Sequence, residues 1–313
     1  MRAVVLVGGF GTRLRPLTSS TPKQMLSVAG RPMIERVVGH LAAHGIDEVV
    51  LSLGFLPDVF LDAYPDGTCA GLPLVCAAEP EPLDTAGGIA FAARAAGIDD
   101  RFLVVNGDVL TDMDVSALVA FHEAAGAEGT IALTRVADPS QFGVVPTDDD
   151  GRVLAFVEKP PPGEAPTDLI NAGYYVLEPS VIERIAPGAK VNIERVTFPA
   201  MVADGRLFAR PDPAWWLDVG TPARYLEANA HYAGAPTVVE SGATIHPDAT
   251  VVDSVIGAGA VVEAGAVVRG SIVGTGAVVG AGARVEGLSV VGPGHRVPPG
   301  TVLVGRCLPE PVG

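Results

Sequence analysis

The sequence predicts an α/β protein: a mixed, mainly parallel sheet followed by a short left-handed parallel β-helix of hexapeptide repeats. Over residues 1–235, short apolar runs alternate with helical stretches, which is typical of a parallel sheet covered by helices. After Tyr232 aromatic residues stop, and Gly, Ala and Val dominate a stretch with a six-residue repeat. We therefore expect two domains, at residues 1–235 and 236–313.

The first domain is expected to supply strands and helices in alternation. Short apolar runs indicate buried strands, and longer stretches between them have helical periodicity. Ligands bind beyond the carboxyl ends of the strands in such sheets, so we expect functional residues there. The predicted strands are Arg2–Val7, Glu48–Leu53, Leu72–Ala77, Phe102–Asn106, Gly129–Val136, Val153–Glu158 and Ala172–Leu177, and the predicted helices are Pro32–His44, Thr85–Ala96 and Val115–Ala125.

An aliphatic residue recurs through the last part of the chain. The steps are six residues, with two steps of five, and the recurring side chain is expected to point into a coil. At three hexapeptides a coil, the stretch predicts about three coils. Coils have exposed backbone edges, so we expect a homo-oligomer through the β-helix. The recurring residues are Ile245, Val251, Ile256, Val262, Val268, Val273, Val279, Val285, Val291, Val297 and Leu303.

Composition and charge exclude several classes of function. The chain has 313 residues, of which 21 are basic and 36 acidic, for a net charge of −15. It therefore lacks the overall basic character of nucleic-acid-binding proteins. No apolar run approaches the ~18 residues of a membrane helix, and three cysteines are too few for a disulfide framework. We expect a cytoplasmic protein that binds neither nucleic acid nor a membrane.

The first predicted strand runs into a glycine-rich segment, GGFGTRLRPLTSSTPKQM, at residues 8–25. Its glycines permit a tight turn and let backbone N–H groups approach phosphate closely. Residues 1–34 hold five basic residues and no acid in an acidic chain, which indicates a local anion site. The segment lacks the Walker A pattern, and a dinucleotide fingerprint would need glycine where Leu14 stands.

This segment resembles the nucleotide-binding motif GGxGTRLRPLT…PK of the sugar-1-phosphate nucleotidyltransferases, or NDP-sugar pyrophosphorylases. Further segments resemble the family's motifs in the family's order over about residues 2–232: EPEPLDTAGGIA, VVNGDVL, FGVV, FVEKP, INAGYYVLEP and WWLDVGTPARYLEAN. With the hexapeptide repeats, they are most similar to the mannose-1-phosphate guanylyltransferase branch. The resemblance implies a Rossmann-like nucleotidyltransferase domain that joins GTP and mannose 1-phosphate into GDP-mannose and pyrophosphate, with Mg²⁺.

The resemblance also implies roles for individual residues. A phosphate monoester has a second pKa near ~6, so it attacks without a general base, and the site needs positioning and charge neutralisation. Arg13 and Lys23 are the expected catalytic residues, and Asp108 and Asp218 the expected metal ligands. The expected nucleotide-binding residues are Gly8, Gly9, Gly11, Thr12, Glu79, Pro82, Asp84, Thr85 and Gly87, and the expected sugar-phosphate-binding residues are Gly143, Glu158, Lys159 and Asn171.

Two departures from the family's pattern leave the substrate pair open. Asp84 stands where the family usually has glycine; its carboxylate can accept from guanine, alter the choice of base, or cap the next helix. Gln24 replaces the commoner proline and resembles the thymidylyltransferase branch. The alternative substrates are dTTP or UTP with glucose 1-phosphate, or a cyclitol or heptose phosphate. Alternatives of another class are a hexapeptide acyltransferase with His246 or His295 as base, and a non-catalytic regulatory subunit.

Overall fold

A computed structural model describes residues 1–310, whose contacts divide the chain into two units. The first unit holds Met1–Gly8 and Glu35–Trp216, and the second holds Gly9–Ile34 together with the described chain from Leu217 onward. Most of the glycine-rich segment therefore belongs with the C-terminal part of the chain. Among the described residues, none of the helices has the length and apolar character needed to cross a membrane.

Fourteen strands and seven α-helices precede the repeat region. In chain order the strands are β1 (Arg2–Leu6), β2 (Ser27–Val28), β3 (Arg31–Pro32), β4 (Glu48–Leu53), β5 (Thr68–Cys69), β6 (Leu72–Ala78), β7 (Phe102–Asn106), β8 (Val109–Thr111), β9 (Gly129–Arg135), β10 (Gly143–Val144), β11 (Val157–Glu158), β12 (Leu169–Leu177), β13 (Leu207–Pro211) and β14 (Trp216–Asp218). The helices are α1 (Met33–Ala43), α2 (Pro57–Ala63), α3 (Asp84–Ala95), α4 (Val115–Ala125), α5 (Ser180–Glu183), α6 (Phe198–Ala203) and α7 (Pro222–Ala233).

The first unit is built on a ten-stranded mixed sheet. Its order is β11-β10-β12-β7-β1-β4-β6-β5, with β9 also paired to β12 and β13 paired to β9. The central strand β1 pairs in parallel with β4 and β7, whereas β12 runs antiparallel to β7 and β9. Val4, Val50 and Val104 are fully buried, as expected where helices cover a parallel sheet. The predicted mixed, mainly parallel sheet is confirmed.

One predicted strand is much shorter than expected. Of Val153–Glu158, only β11 is a strand. The N–H of Val153 donates to the Leu207 carbonyl, whereas the N–H of Leu154 donates to the Pro146 carbonyl. Because successive donors go to different neighbours, this part of the chain forms isolated bridges rather than a ladder. The other predicted strands and helices match their observed counterparts closely, although β12 starts three residues before the expected position, at Leu169.

The second unit contains a parallel β-helix of short strands in three sheets. The sheets have the orders β15-β18-β21-β24-β27, β16-β19-β22-β25 and β17-β20-β23-β26. The residues predicted to point inward from Ile256 to Val297 form its buried core, with alanines between them. The strands are β15 (Val238–Val239), β16 (Thr244–Ile245), β17 (Thr250–Val252), β18 (Val255–Ile256), β19 (Val261–Val262), β20 (Val267–Arg269), β21 (Ile272–Val273), β22 (Val278–Val279), β23 (Arg284–Glu286), β24 (Val290–Val291), β25 (Arg296–Val297), β26 (Val302–Val304) and β27 (Cys307–Leu308).

These sheets have the pattern of a left-handed β-helix, as predicted. Every strand from β15 to β24 pairs in parallel with its counterpart one coil later, for example Val238 with Val255 and Val261 with Val278. Each sheet has at least four strands, so the β-helix is longer than the three coils expected. The expected number was too small because the pairing begins at Val238, before the first recurring residue, Ile245.

Candidate active site

In the second unit, the glycine-rich segment turns at Gly11. This residue has a left-handed φ of +59°, and its carbonyl accepts a hydrogen bond from the Thr18 hydroxyl at 2.8 Å. A Cβ on Gly11 would lie 3.2 Å from the Cβ of Lys23 and from the Cγ2 of Thr18. Glycine thus allows Lys23 to pack against the turn. The lysine is only 8% exposed, whereas Thr12 and Arg13 on the turn are exposed.

Gly220 brings Arg13 and Asp218 close together in the same unit. A Cβ on Gly220 would lie 2.6 Å from the Nη2 of Arg13 and 3.4 Å from the Oδ1 of Asp218. The N–H of Gly220 donates to the Asp218 carbonyl at 2.9 Å, which closes the turn after β14. Sequence reasoning did not identify Gly220. The available signal was a glycine between a strand ending in aspartate and Thr221, the N-cap of α7.

In the first unit, the loops that follow β1 and β4 approach each other through glycine. A Cβ on Gly54 would lie 3.1 Å from the Cα of Gly8, so the two backbones nearly touch. The next strand of the sheet, β6, ends just before Glu79, whose carboxylate accepts from the Ser52 hydroxyl at 2.8 Å and from the Leu83 N–H at 3.0 Å. Glu79 therefore holds the loop that leads to α3, in which Pro82 is exposed.

Asp84 opens α3 in a conformation that glycine favours. Its φ is +62°, and its Oδ1 accepts from the Thr85 N–H at 2.7 Å and from the Asn192 amide at 3.1 Å. These bonds satisfy a free N–H in the first turn of the helix, whose N-cap position is occupied by Leu83. Three residues later, a Cβ on Gly87 would lie 2.5 Å from the Ala189 carbonyl oxygen. Glycine at 87 thus lets α3 approach that backbone.

Glu194 was missed by sequence reasoning. It lies in a π-helix, Ile193–Thr197, an element that is rare and frequently found at functional sites. Its Oε2 accepts from the Thr85 hydroxyl at 3.1 Å, and this hydroxyl in turn accepts from the Ile193 N–H at 2.8 Å. Burial raises the pKa of Glu194, and the charges of Glu158 and Asp84 raise it further. No sequence pattern used above identifies a π-helix.

Three of the four predicted sugar-phosphate residues meet at the edge of the sheet. Gly143 on β10 pairs with Glu158 on β11. A Cβ on Gly143 would lie 2.6 Å from the Cζ of Phe156 and 3.2 Å from the Oε2 of Glu158. Lys159 has a φ of +49°, and its Nζ lies 3.6 Å from the Oε1 of Glu158. The arrangement places a carboxylate and an exposed ammonium group beside a residue without a side chain.

The fourth residue, Asn171, lies at an irregularity in β12. The pairing of β12 with β9 shifts register between Asn171 and Tyr175, which is how bulges redirect side chains near functional sites. The Asn171 amide donates to the Tyr175 hydroxyl at 2.9 Å, and its oxygen accepts from the Gly173 N–H at 2.9 Å. Burial raises the pKa of Tyr175, and Asn106 at the end of β7 lies against Gly173, where a Cβ would be 2.7 Å from its Nδ2. Asn106 and Tyr175 were not identified from the sequence.

The two predicted metal ligands each lie at a strand end. Asp108 lies between β7 and β8 in the first unit, and Asp218 ends β14 in the second. Within residues 1–310, no group of three or more His, Cys, Asp or Glu side chains is arranged to hold a metal. Mg²⁺ usually takes one or two carboxylates and completes its octahedron with phosphate and water. An aspartate carboxylate is therefore a type of ligand that suits Mg²⁺ bound together with a nucleotide.

Comparison with known families assigns both parts of the chain. The model described as "Nucleotidyl transferase" matches residues 2–234, and the model described as "GMPPB C-terminal domain" matches residues 228–310. The chain belongs to the nucleotidyl transferase family, whose members transfer a nucleotidyl group from a nucleoside triphosphate to a sugar 1-phosphate. Enzymes of this family generally use a divalent metal ion. The family predicted from the sequence is confirmed.

Individual relatives agree with this assignment. The mannose-1-phosphate guanylyltransferase of Mycobacterium tuberculosis is 42% identical over 268 residues, covering 81% of this chain and 74% of the relative. Probable mannose-1-phosphate guanylyltransferase 1 of Oryza sativa subsp. japonica is 39% identical over 265 residues, covering 82% and 73%. The crystal structure of HddC from Yersinia pseudotuberculosis superposes with a TM-score of 0.64 at 28% identity, covering 74% of this chain and 99% of that one.

Proposed function

We propose that this protein makes GDP-mannose and pyrophosphate from GTP and mannose 1-phosphate, with Mg²⁺ as its metal ion. The observation that carries the proposal is the turn at Gly11, which buries Lys23, in the same unit in which Arg13 lies beside Asp218. Cationic groups held by a glycine turn suit a triphosphate. The 42% identity to a mannose-1-phosphate guanylyltransferase supports the choice of substrates.

The reaction exchanges one P–O bond for another. An oxygen of the sugar phosphate attacks the α-phosphorus of the nucleotide, and the bond from that phosphorus to the β-phosphate bridging oxygen breaks. The electron pair leaves with pyrophosphate, and no proton has to move because the monoester is already ionised near neutral pH. Catalysis therefore depends on alignment and on charge stabilisation.

Arg13 and Lys23 are proposed to stabilise the charge that develops on the departing pyrophosphate. The backbone N–H groups of the turn, from Gly8 to Thr12, are proposed to contact the phosphates. Removing a charge-stabilising group of this kind typically lowers kcat by about 10² to 10³. Asp108 and Asp218 are proposed to hold Mg²⁺, which when bound neutralises phosphate charge as a Lewis acid.

The sugar phosphate is proposed to bind at the edge of the sheet. Lys159 is suited to pair with the monoester, and the Glu158 carboxylate to accept from sugar hydroxyls. The Asn171 amide is suited to either task, and Gly143 leaves space for the sugar beside Glu158. For the base, we propose the loop that Glu79 holds and the first turn of α3, from Pro82 to Gly87.

The test of the proposed function is pyrophosphate release with Mg²⁺. GTP, dTTP, UTP, ATP and CTP are each combined with mannose 1-phosphate, glucose 1-phosphate and related sugar phosphates. We expect GTP with mannose 1-phosphate to give the highest kcat/KM. A preference for dTTP or UTP would retain the reaction class, overturn the proposed substrates and assign the choice of base to Asp84 and Gln24. No release from any pair with folded protein would contradict the proposal.

We further propose that residues 1–235 form the catalytic domain and residues 236–313 the β-helix domain, in a cytoplasmic homo-oligomer. The oligomer is proposed because β26 is the terminal strand of its sheet, and Val302 and Val304 on it are 59% and 58% exposed. A second copy of the chain can cover such an apolar edge. Sedimentation of a monomer at micromolar concentration would contradict this proposal.

A further inference from the structure

Glu240, just after β15 in the first coil of the β-helix, holds two parts of its unit. Its Oε1 accepts from the Ser27 hydroxyl and from the Gly30 N–H at 3.3 Å, and its Oε2 accepts from the Ala258 N–H at 3.2 Å. Ser27 and Gly30 belong to the β2–β3 hairpin, which begins four residues after Lys23. One carboxylate therefore connects the β-helix to the hairpin that follows the glycine-rich segment.

Glu263 also joins two coils of the β-helix, but through hydrogen bonds to Ala281 and Arg296 rather than to the hairpin. Its Oε2 accepts from the Ala281 N–H, eighteen residues along the chain, as the Oε2 of Glu240 accepts from Ala258, also eighteen residues along. The Oε1 of Glu263, however, accepts from Arg296 within the β-helix at 2.7 Å. A glutamate can therefore join successive coils without contacting the hairpin. The two bonds from Glu240 to the hairpin are additional to this coil contact.

The same unit also holds the segment on the other side of Lys23. A Cβ on Gly292 would lie 3.1 Å from the Cβ and Cγ of Pro16, and the Sγ of Cys307 lies 3.7 Å from the Arg15 carbonyl oxygen. Pro16 follows Arg13 by three residues, and Ser27 follows Lys23 by four. Contacts with the β-helix therefore lie on both sides of Lys23 and just after Arg13.

Helix α7, just before the β-helix, adds two more bonds to the hairpin. The Asn229 side chain accepts from the Ala29 N–H at 2.8 Å, and the Tyr225 hydroxyl donates to the Ser27 carbonyl. Both side chains are buried, so these bonds exclude water. The hairpin is thus held from α7 and from the first coil, where Glu240 contributes a charged group.

We propose that the β-helix positions the catalytic segment of its own chain, and that Glu240 is the positioning residue of this contact. The inference rests on the proposed function, because it takes Arg13 and Lys23 as the groups that act on the triphosphate. Glu240 acts through Ser27 and Gly30 and contacts no substrate. A catalytic group displaced by about 1 Å can lose up to about 10² in rate. The β-helix thereby contributes to turnover within a single chain.

The test compares Glu240→Gln with Glu263→Gln. Each variant keeps the shape of the side chain and removes one carboxylate that joins two coils, but only the first also alters the bonds to the hairpin. We expect Glu240→Gln to lower kcat about tenfold and leave KM for mannose 1-phosphate within twofold. We expect Glu263→Gln to keep both constants within about twofold. Pyrophosphate release measures both variants.

Amide hydrogen exchange provides a readout that does not depend on activity. Faster exchange is expected in a peptide spanning residues 24–34 of Glu240→Gln, because the Gly30 N–H loses its charged acceptor. The same peptide in Glu263→Gln is expected to exchange like wild type. Ser27→Ala removes the hydroxyl bond from the other side, and if Glu240→Gln does not fold, Ser27→Ala replaces it under the same expectations.

The outcomes separate this inference from the proposed function. Equal kcat and equal exchange in the Glu240 and Glu263 variants, with an active wild type, would overturn the positioning role and leave the proposed function standing. Faster exchange without any loss of kcat would also overturn it, because a purely structural contact gives that result. A wild type that releases no pyrophosphate from any pair would overturn both.

Discussion

The sheet of the first unit and the β-helix of the second place their polar residues differently. In the sheet, chemically distinct groups collect after the strands: Asp108 after β7, Glu158 at the end of β11 and Asn171 at the bulge in β12. In the β-helix, the buried polar residues repeat. Ser254 and Ser289 have the same role, each accepting with its Oγ from a backbone N–H seventeen residues later.

The difference in where the polar residues lie follows from the architecture of each unit. An open mixed sheet has many strand ends and irregularities, and each of them can carry a different group. A β-helix repeats one coil, so a polar group that suits one turn suits the equivalent turn of the next. Unrepeated polar residues therefore indicate function in the first unit, and in the β-helix a contact that departs from the repeat, such as that of Glu240 with Ser27, is the informative one.

The largest effect is expected at the buried lysine of the glycine-rich segment. Lys23→Ala should lower kcat by about 10² to 10³, because it removes a charge that stabilises the leaving pyrophosphate. The variant should remain folded. Lys190, which is exposed, provides the control: Lys190→Ala should match wild type. Steady-state kinetics and urea denaturation measure both, and a Lys23→Ala rate within threefold of wild type would contradict the assigned role.

The repeated serines should show the opposite pattern, a loss of stability without loss of rate. Ser254→Ala leaves the buried N–H of Ser271 without the oxygen that now accepts from it at 3.1 Å. An unsatisfied buried group of this kind costs about 1 to 3 kcal/mol, and kcat should stay within twofold.

Ser289→Ala provides a comparison two coils further on. It removes the acceptor of the Arg306 N–H at 3.2 Å, but Arg306 is exposed, so water can replace this acceptor and the loss of stability should be smaller. Denaturant unfolding followed by circular dichroism measures both variants. A loss of stability in Ser289→Ala as large as that in Ser254→Ala, or a tenfold loss of kcat in either, would contradict this expectation.

A smaller effect is expected at the edge of the sheet. Gly143→Ala places a methyl group 2.6 Å from the Phe156 ring and 3.2 Å from the Glu158 carboxylate, so groups beside the proposed sugar site have to shift. We expect KM for mannose 1-phosphate to rise about tenfold with kcat little changed. Gly39→Ala on α1, whose Cβ would meet only Ala70 at 4.0 Å, should be neutral. An unchanged KM in Gly143→Ala would move the sugar site elsewhere.

Sequence patterns predicted those parts of the molecule that local order determines. Apolar runs predicted β1, β4 and β7, and the six-residue repeat predicted the residues that fill the β-helix. Neither pattern predicts long-range partners of polar side chains. Ser27 and Glu240 are 213 residues apart, so grouping of the glycine-rich segment with the C-terminal unit was not foreseen. The repeat specifies which side chains point inward, and the contact of Glu240 depends on an outward one.

For the candidate site, too, sequence patterns indicated short-range features and not long-range contacts. The motifs indicated the residues on the turn at Gly11 and at the strand ends, because those are short-range features of sequence. Asn106, Tyr175 and Glu194 were missed. Asn106 lies against Gly173 of a strand far along the chain, Tyr175 bonds to Asn171 across the irregular register of β12, and Glu194 lies in a π-helix. The hydrogen bonds of Asp84 also required the structure, since its partner Asn192 is 108 residues away.

The smallest expected effect is on how the free energy of unfolding depends on pH, and it is expected in the first unit rather than in the β-helix. His122 in the first unit is fully buried, and its ring hydrogen-bonds with Thr130 at 2.8 Å and with Glu178 at 3.1 Å. Burial lowers its pKa below the ordinary value of 6.5. The unfolded chain therefore binds a proton below about pH 6.5 that the folded chain does not, so the free energy of unfolding falls as pH drops through this range, until the folded pKa is reached.

His122→Gln should flatten this dependence without abolishing it, because burial and the neighbouring His44 also lower the pKa of His40 in the same unit. Urea denaturation of both proteins at several pH values between 8 and 5 measures the change. If the first unit carries the dependence, acid should increase amide exchange in α4, which carries His122, and in β9, which carries its partner Thr130, before it does so in the core of the β-helix. Equal slopes for His122→Gln and wild type would show that the imidazole does not contribute to acid sensitivity. Earlier opening of the β-helix would assign the most acid-sensitive step to the second unit.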